Sequence, residues 1–356
     1  MNNQVVISTP PHVKSKRTTK KIMLDVIIAL TPAAIAGIVY FGLGAAIPII
    51  ASIFGAVATE FVYFFIANKG FSDKCKQAKE VCRKWCRQFD FTSVVTGLIL
   101  ALIIPPLPMG ELYRFYEVMI GSIFAIAIVK MVFGGTGKNL VNPAAAARVF
   151  LLLSFTVSMN AYIGGLSATF NPVSPDSHLF TGATHLGGFL LNGKPEAQMN
   201  WLDLFLGTGV AGCIGETCKV ALLVGYIYLC VRKVIKWWQP LLYIVLSGFC
   251  SVCIAACASG NFEIGLFLDY TLSGGLMFGA IFMATDYVTS PKGVYGQLVY
   301  YIALAVLTSL LRFLTKIEVV SFVIMFMNLI VPLIDTYIVR KPFGYRRVKK
   351  QKKEGK

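Results

Sequence analysis

Charge is scarce in this chain. Of its 356 residues only 14% are charged, against 56% hydrophobic, and the mean hydropathy is +0.70. A soluble globular domain carries about a quarter of its residues as Asp, Glu, Lys or Arg, so that class is excluded. A small-residue cleavage site is also missing behind the first apolar run, which continues to full spanning length. That pattern excludes a cleavable signal peptide and predicts that the run stays as the first helix. Nine cysteines are present, but they do not form a paired framework. Cys75, Cys82 and Cys86 fall on a basic stretch and the rest in apolar runs, so a disulfide-stapled fold is excluded. Cys250, Cys253 and Cys257 share one helical face without a second ligand cluster. They read as small residues packing a helix interface, and no metal is expected.

What the chain does have is long apolar runs. Segments of spanning length, about 17–25 residues each, lie at 22–40, 43–67, 92–107, 118–133, 144–162, 204–230, 240–258, 265–284, 294–311 and 319–339. They predict an all-α, polytopic membrane protein of about ten transmembrane helices, with the third, fifth and eighth short or interrupted. The net charge of +16 would suit nucleic acid if it were spread over one face. Instead, threading ten helices from an internal amino terminus puts 28 of the 33 Lys and Arg on the cytoplasmic side. This is the positive-inside bias, and it predicts a multi-pass protein of the cytoplasmic membrane with both termini inside. The basic clusters sit where anionic lipid attracts them, so the bilayer is the expected partner and nucleic acid is not.

Taken in order, residues 1–21 read as a polar cytoplasmic arm. Glu60 interrupts the second apolar run, near its cytoplasmic end. Residues 68–90 carry Val81, Cys82, Trp85, Cys86 and Phe89 at three- and four-residue spacings, which predicts an amphipathic helix on the inner membrane face. Gly134-Gly135-Thr136-Gly137-Lys138-Asn139-Leu140-Val141-Asn142-Pro143 is a glycine loop capped by asparagines where a helix begins. Backbone N–H groups face outward at such a place, either as an ordinary cap or as a polar ligand site. Gly207 to Lys219 opens the sixth run with dense glycine, and Glu216 and Lys219 are spaced to pair at i and i+3. Asp286 falls at a cytoplasmic helix end in Met283-Ala284-Thr285-Asp286-Tyr287-Val288-Thr289-Ser290-Pro291, and Asp335 lies in the tenth run. Intramembrane acids are costly to keep, which makes Glu60, Glu216, Asp286 and Asp335 the candidates for ion coupling.

Two short echoes join the halves: Leu24-Asp25-Val26 with Leu202-Asp203-Leu204, and Asp90-Phe91-Thr92 with Asp269-Tyr270-Thr271. With five helices in each half, the halves face opposite ways and form an inverted repeat, with sites between them. The expected division is a 1–21 arm, a first five-helix repeat at 22–162, an extracytoplasmic loop at 163–201, a second repeat at 202–339 and a basic cytoplasmic tail at 340–356.

The extracytoplasmic loop contains Thr181-Gly182-Ala183-Thr184, a hydroxyl among residues that allow tight bends. By itself this is a turn-rich loop. Together with the blocks at Asp90–Leu98, Gly134–Ala144, Gly207–Lys219 and Phe282–Pro291, it resembles the D-type membrane subunit of Rnf electron-transport complexes. The B-type membrane subunit of the Na⁺-translocating NADH:quinone reductase shares the same pattern, and the two form one family. The resemblance implies covalent FMN on Thr184 through a phosphoester bond, with Gly182 and Ala183 in the attachment motif. It also implies a second flavin, riboflavin, near the Asn139 and Asn142 block. Two places depart from the pattern: Tyr287 stands where proline is usual, and His178 where an aspartate usually precedes the attachment threonine by six residues.

By this resemblance the chain is a subunit of an ion-translocating oxidoreductase of the Rnf type, which links ferredoxin to NAD⁺. It would pass electrons across the membrane coupled to Na⁺ or H⁺. Its partners would be the other Rnf subunits, including an extracytoplasmic flavoprotein, and the flavin transferase that loads Thr184. The short amino-terminal arm favours the Rnf type over the quinone reductase type. A flavin-free secondary transporter is the competing class, since inverted repeats and intramembrane acids suit it equally.

Overall fold

The computed structural model describes residues 17–68, 75–162, 201–207, 211–259 and 264–338, and among these no β-strand occurs. The helices are α1 (Thr19–Phe41), α2 (Leu43–Ala67), α3 (Cys75–Gln88), α4 (Thr92–Leu102), α5 (Phe115–Phe124), α6 (Pro143–Ser154) and α7 (Thr156–Met159). They continue as α8 (Trp201–Leu206), α9 (Lys219–Val231), α10 (Trp238–Ser259), α11 (Leu266–Leu272), α12 (Leu276–Phe278), α13 (Val294–Thr315) and α14 (Val320–Tyr337). Two of them run on into π-helical turns, α5 through Ala125–Met131 and α12 through Gly279–Met283.

Six of the helices are long and apolar enough to cross a membrane, or seven if the pair α11 and α12, bent by 61°, counts as one. Every apolar run read from the sequence carries a helix. The third and fifth runs, expected to be short, carry α4 and α6 of 10–17 residues; α9 in the sixth run is equally short, which the sequence does not lead us to expect. The chain is a multi-pass membrane protein, and large side chains such as Ile50, Phe54, Val231 and Leu333 are left exposed on its outside. Lipid tails covering that surface would be as apolar as the side chains themselves, so helix association depends on close packing and buried polar links. Ser52 Oγ donates to the Gly97 carbonyl at 2.7 Å between α2 and α4. Tyr243 and Thr308 share a hydrogen bond of 2.7 Å between α10 and α13, and Ser309 Oγ donates to the Ser247 carbonyl at 2.8 Å.

The short helices have a physical cause. Helix α4 stops at Leu102 and gives way to an irregular stretch holding Pro105, Pro106 and Pro108, none of which has an amide hydrogen to satisfy. Residues 211–218, expected from sequence to open a helix, are irregular as well, and α9 starts only at Lys219. The two irregular stretches complete each other: the amides of Ile214 and Gly215 donate to the carbonyls of Ile104 (3.1 Å) and Leu102 (2.7 Å). The Leu107 amide donates to Gly44 O at 2.9 Å. Backbone that leaves the helix at membrane depth persists only when protein groups satisfy it in this way. One core, including Leu30, Leu100, Ala145, Phe278 and Tyr300, runs through both halves of the chain.

Helix α3 meets its expectation as an amphipathic element. Val81 is buried, and the Trp85 ring packs edge-on against Phe61 of α2 at 5.2 Å and, tilted by 48°, against Phe89 at 4.9 Å.

Candidate functional site: a cavity between the two halves

Where α1, α4, the glycine loop and the π-helical end of α12 converge, they enclose a cavity of about 850 Å³, its mouth included. Most of its wall is apolar, with Ile22, Val95, Ile99, Leu229 and Ile281 among the lining residues. Polar exceptions converge from separate elements: Thr92 and Thr96 of α4, Lys130 of the π-helical turn, Thr136, Asn139 and Asn142 of the loop, and Thr285 and Asp286 beyond α12. Both π-helical turns border this cavity, and such turns recur at functional sites because the extra residue re-aims side chains.

The loop can fold over the cavity because Gly134, Gly135 and Gly137 adopt φ of 104°, 89° and 88°, a region that side-chain-bearing residues rarely occupy. Asn142 then fixes the start of α6. Its Oδ1 accepts from the amides of Ala144 (3.0 Å) and Ala145 (3.3 Å), and Pro143 occupies the first helical position, where its missing N–H costs nothing. Its Nδ2 donates to the Met283 carbonyl at 3.2 Å, tying the loop to the second half. Asn139 Nδ2 donates to Val141 O at 3.1 Å. On the facing side Asp286 accepts from the Val288 amide (3.4 Å) and the Thr289 hydroxyl (3.1 Å). Burial pushes the Asp286 carboxyl above the usual aspartate range, and these hydrogen bonds oppose the shift.

Behind Lys130 lies a polar wall. The ammonium is buried, 3.3 Å from Glu60 Oε1 and 3.1 Å from Ser93 Oγ, and it also donates to Thr92 Oγ1. Ser93 donates in turn to Glu60 Oε2. Thr92 Oγ1 lies 2.6 Å from Asp90 Oδ1 and 3.3 Å from Thr136 Oγ1. On the far side of this wall a second cavity, about 770 Å³ with its mouth, is lined by Glu60, Asp90, Trp85 and Thr136.

The remaining sequence candidates sit elsewhere. The i, i+3 spacing of Glu216 and Lys219 predicts a pair between their side chains. Lys219 Nζ donates instead to the main-chain carbonyl of Glu216, and Glu216 Oε1 accepts the Cys213 amide at 2.9 Å. The irregular backbone before α9 turns that carbonyl toward the ammonium, which a helix would not. Glu216 lines a small cavity with Arg148 and Glu318. Glu318 pairs with the fully buried Arg312 at 2.8 Å, and Arg312 Nη1 also donates to Tyr270 O at 3.2 Å. Asp335 accepts the Lys292 amide at 3.1 Å, holding the loop after Asp286 against α14. Thr184, Gly182 and Ala183 lie outside the described residues. Among the described residues no group of three His, Cys, Asp or Glu side chains could hold a metal ion.

A family model described as "NQR2, RnfD, RnfE family" matches residues 6–344. The chain belongs to that family. It is 37% identical, over 98% of both chains, to the D-type subunit of the "Na(+)-translocating ferredoxin:NAD(+) oxidoreductase complex" of Acetobacterium woodii. It is 35% identical to the D-type subunit of the "Proton-translocating ferredoxin:NAD(+) oxidoreductase complex" of Clostridium ljungdahlii, over 97% of this chain and 98% of the relative. The D-type subunit of the "Ion-translocating oxidoreductase complex" of Vibrio cholerae is 30% identical over 95% and 99%. The resemblance read from the motif blocks is therefore correct at the level of the NQR2, RnfD, RnfE family.

For this family member the structure brings Asn139, Asn142 and Asp286 to one cavity and Glu60 to the wall behind it. Glu216 and Asp335 belong to other clusters. Sequence reasoning passed over Lys130, counting it with the cytoplasmic basic residues although its side chain is only 3% exposed. The signal was available: one lysine inside an apolar run and one glutamate inside another are each tolerable if they meet.

Proposed function

We propose that the chain is the flavin-carrying membrane subunit of an Rnf-type, ion-translocating ferredoxin:NAD⁺ oxidoreductase complex. It would carry FMN covalently on Thr184 outside the membrane and riboflavin in the cavity between its halves. The observation that carries this reading is the cavity's composition. A flavin ring is apolar along its dimethylbenzene edge and hydrogen-bonding along its pyrimidine edge, and the cavity pairs an apolar wall with a few convergent polar groups. Asn139 and Thr96 are the groups suited to the pyrimidine edge, and Ile22, Val95 and Ile281 to the other. A bound flavin supplies electron transfer in one-electron steps, while this chain's own residues orient it and exclude water.

On this reading the chain works among other Rnf subunits, including an extracytoplasmic flavoprotein, and depends on a flavin transferase. Glu60, Glu216, Asp286 and Asp335 serve coupling to Na⁺ or H⁺; the names of the two ferredoxin-linked relatives above contain one ion each. Ten membrane segments form two inverted five-helix repeats with both termini in the cytoplasm. That arrangement is supported by Lys130 and Arg312, each a buried cation late in the fourth segment of its half and bonded to an end of the third. A reporter fused after Lys356 should be active only in its cytoplasmic form, and periplasmic activity would overturn the orientation.

The purified chain, co-expressed with the transferase, should be yellow and hold two flavins. Denaturation should release one as riboflavin and leave the other on the polypeptide. A colourless protein would return the flavin-free transporter to first place.

A further inference from the structure

The wall between the two cavities contains a cluster of groups that can hold or pass a proton. Glu60 and Asp90 face the outer cavity, Lys130 and Thr92 face the inner one, and Thr136 borders both. Ser93 bridges Glu60 to Lys130, giving an unbroken series of hydrogen bonds from one side to the other. The rim of the outer cavity includes Gln88, Gly134 and Thr136, all solvent-exposed, whereas Lys130 and Ser93 are buried. Structural stability alone needs a partner for Lys130. It does not need that partner to be a carboxylate standing in a second, open cavity.

We propose that Glu60, Ser93 and Lys130 form a proton path from the solvent-facing outer cavity to the inner cavity. Lys130 releases a proton into the inner cavity. The Glu60 carboxylate takes one from hydronium in the outer cavity and passes it to the neutral amine, directly or through the Ser93 hydroxyl, so that Glu60 ends ionised and Lys130 protonated. One proton enters for each delivered, no bond other than those to hydrogen changes, and the wall returns to its starting state. The charged and titratable groups around the path are Glu60 and Tyr63 from α2, Asp90 ahead of α4, Lys138 of the glycine loop and Asp286 across the inner cavity. The inference rests on a flavin occupying the inner cavity, since its two-electron reduction calls for protons where bulk water does not reach.

The test reduces the purified, flavin-loaded chain with reduced methyl viologen, whose own oxidation releases no proton, in a stopped-flow cell and follows proton uptake from the medium with a pH-indicator dye. Glu60→Gln should slow uptake at least tenfold, with flavin content unchanged by extraction fluorescence. Ser93→Ala keeps the Glu60–Lys130 ion pair and should slow uptake severalfold with an enlarged solvent isotope effect. It decides the matter where Glu60→Gln fails to fold. Uptake at the wild-type rate in Ser93→Ala, or in a folded and loaded Glu60→Gln, would make the wall purely structural. Wild-type protein without extractable riboflavin would instead overturn the reading of the cavity, and the path with it.

Discussion

The Gly215 amide donates to the Leu102 carbonyl at 2.7 Å, so the two irregular stretches of this membrane protein satisfy one another's backbone. A Cβ on Gly215 would stand 2.6 Å from Leu102 Cβ and 3.1 Å from its carbonyl oxygen, closer than side chains tolerate. Gly215→Val should therefore push the stretches apart and expose two amides to hydrocarbon. Overpacking of this kind costs about 1–3 kcal/mol. Thermal unfolding in detergent should show a midpoint several degrees lower, with Gly215→Ala falling between. A Gly215→Val protein that melts with the wild type would show the contact to be dispensable.

Asn142 both caps α6 and bonds Met283 across the cavity, so its two roles are separable. Asn142→Ala removes both and should cost about 1–2 kcal/mol from the cap alone. Asn142→Asp keeps the acceptor for Ala144 and Ala145 but loses the donation to Met283 O. It should retain most of the stability while releasing riboflavin more readily on dilution. Equal flavin retention in both variants and the wild type would remove Asn142 from the cavity's function.

How much of this could be read from the chain itself follows from the range of the interactions. Helices α2, α10, α13 and α14 were legible because a long apolar run bounded by turn or charged residues depends on neighbouring residues alone. The shortness of the third run was legible too, but the break before Lys219 was not, because it is held by the carbonyls of Leu102 and Ile104, far away in sequence. Lys130 was passed over for the same reason. Its burial depends on Glu60 in another helix, and a lysine near a helix end otherwise reads as a snorkelling surface charge. The asparagine block was legible as a cap, since N-capping is local chemistry. That its far side faces Asp286 required the fold.

Asp286 gives the site a pH dependence whose sign is fixed. Its carboxyl is held above the ordinary aspartate range chiefly by burial, so the folded state binds its proton more tightly than the unfolded chain does. The ionised group therefore lowers stability at neutral pH. That loss is relieved as the pH falls through the raised native value toward the ordinary range. Asp286→Asn should be more stable than wild type at pH 7, with the difference shrinking on acidification. A constant difference across the pH series would mean that the carboxyl titrates normally.

Asp335 can act through its charge or through the Lys292 amide it accepts. Asp335→Asn keeps an acceptor oxygen and removes the charge. If Asp335 serves coupling, this variant should hold its flavins and fold normally, yet lose most of the ion stimulation of electron transfer in membrane vesicles. Ion stimulation like that of the wild type would leave Asp335 as the anchor of its loop.

Thr184 bears the most consequential prediction, because a covalent flavin survives loss of fold and a bound one does not. Expressed with a flavin transferase, the denatured chain should fluoresce on a gel, and the peptide spanning 171–194 should carry the mass of FMN less one water. Thr184→Ala should abolish both signals. Thr181→Ala leaves the attachment hydroxyl in place and should lower them only partially, through the transferase's recognition of the motif. The resemblance drawn from the motif blocks implies an aspartate where His178 stands, so His178→Asp should raise the fraction loaded. A dark wild-type band with an unmodified peptide, restored by His178→Asp, would place the defect at recognition. One that stays dark in both would remove the FMN assignment from Thr184.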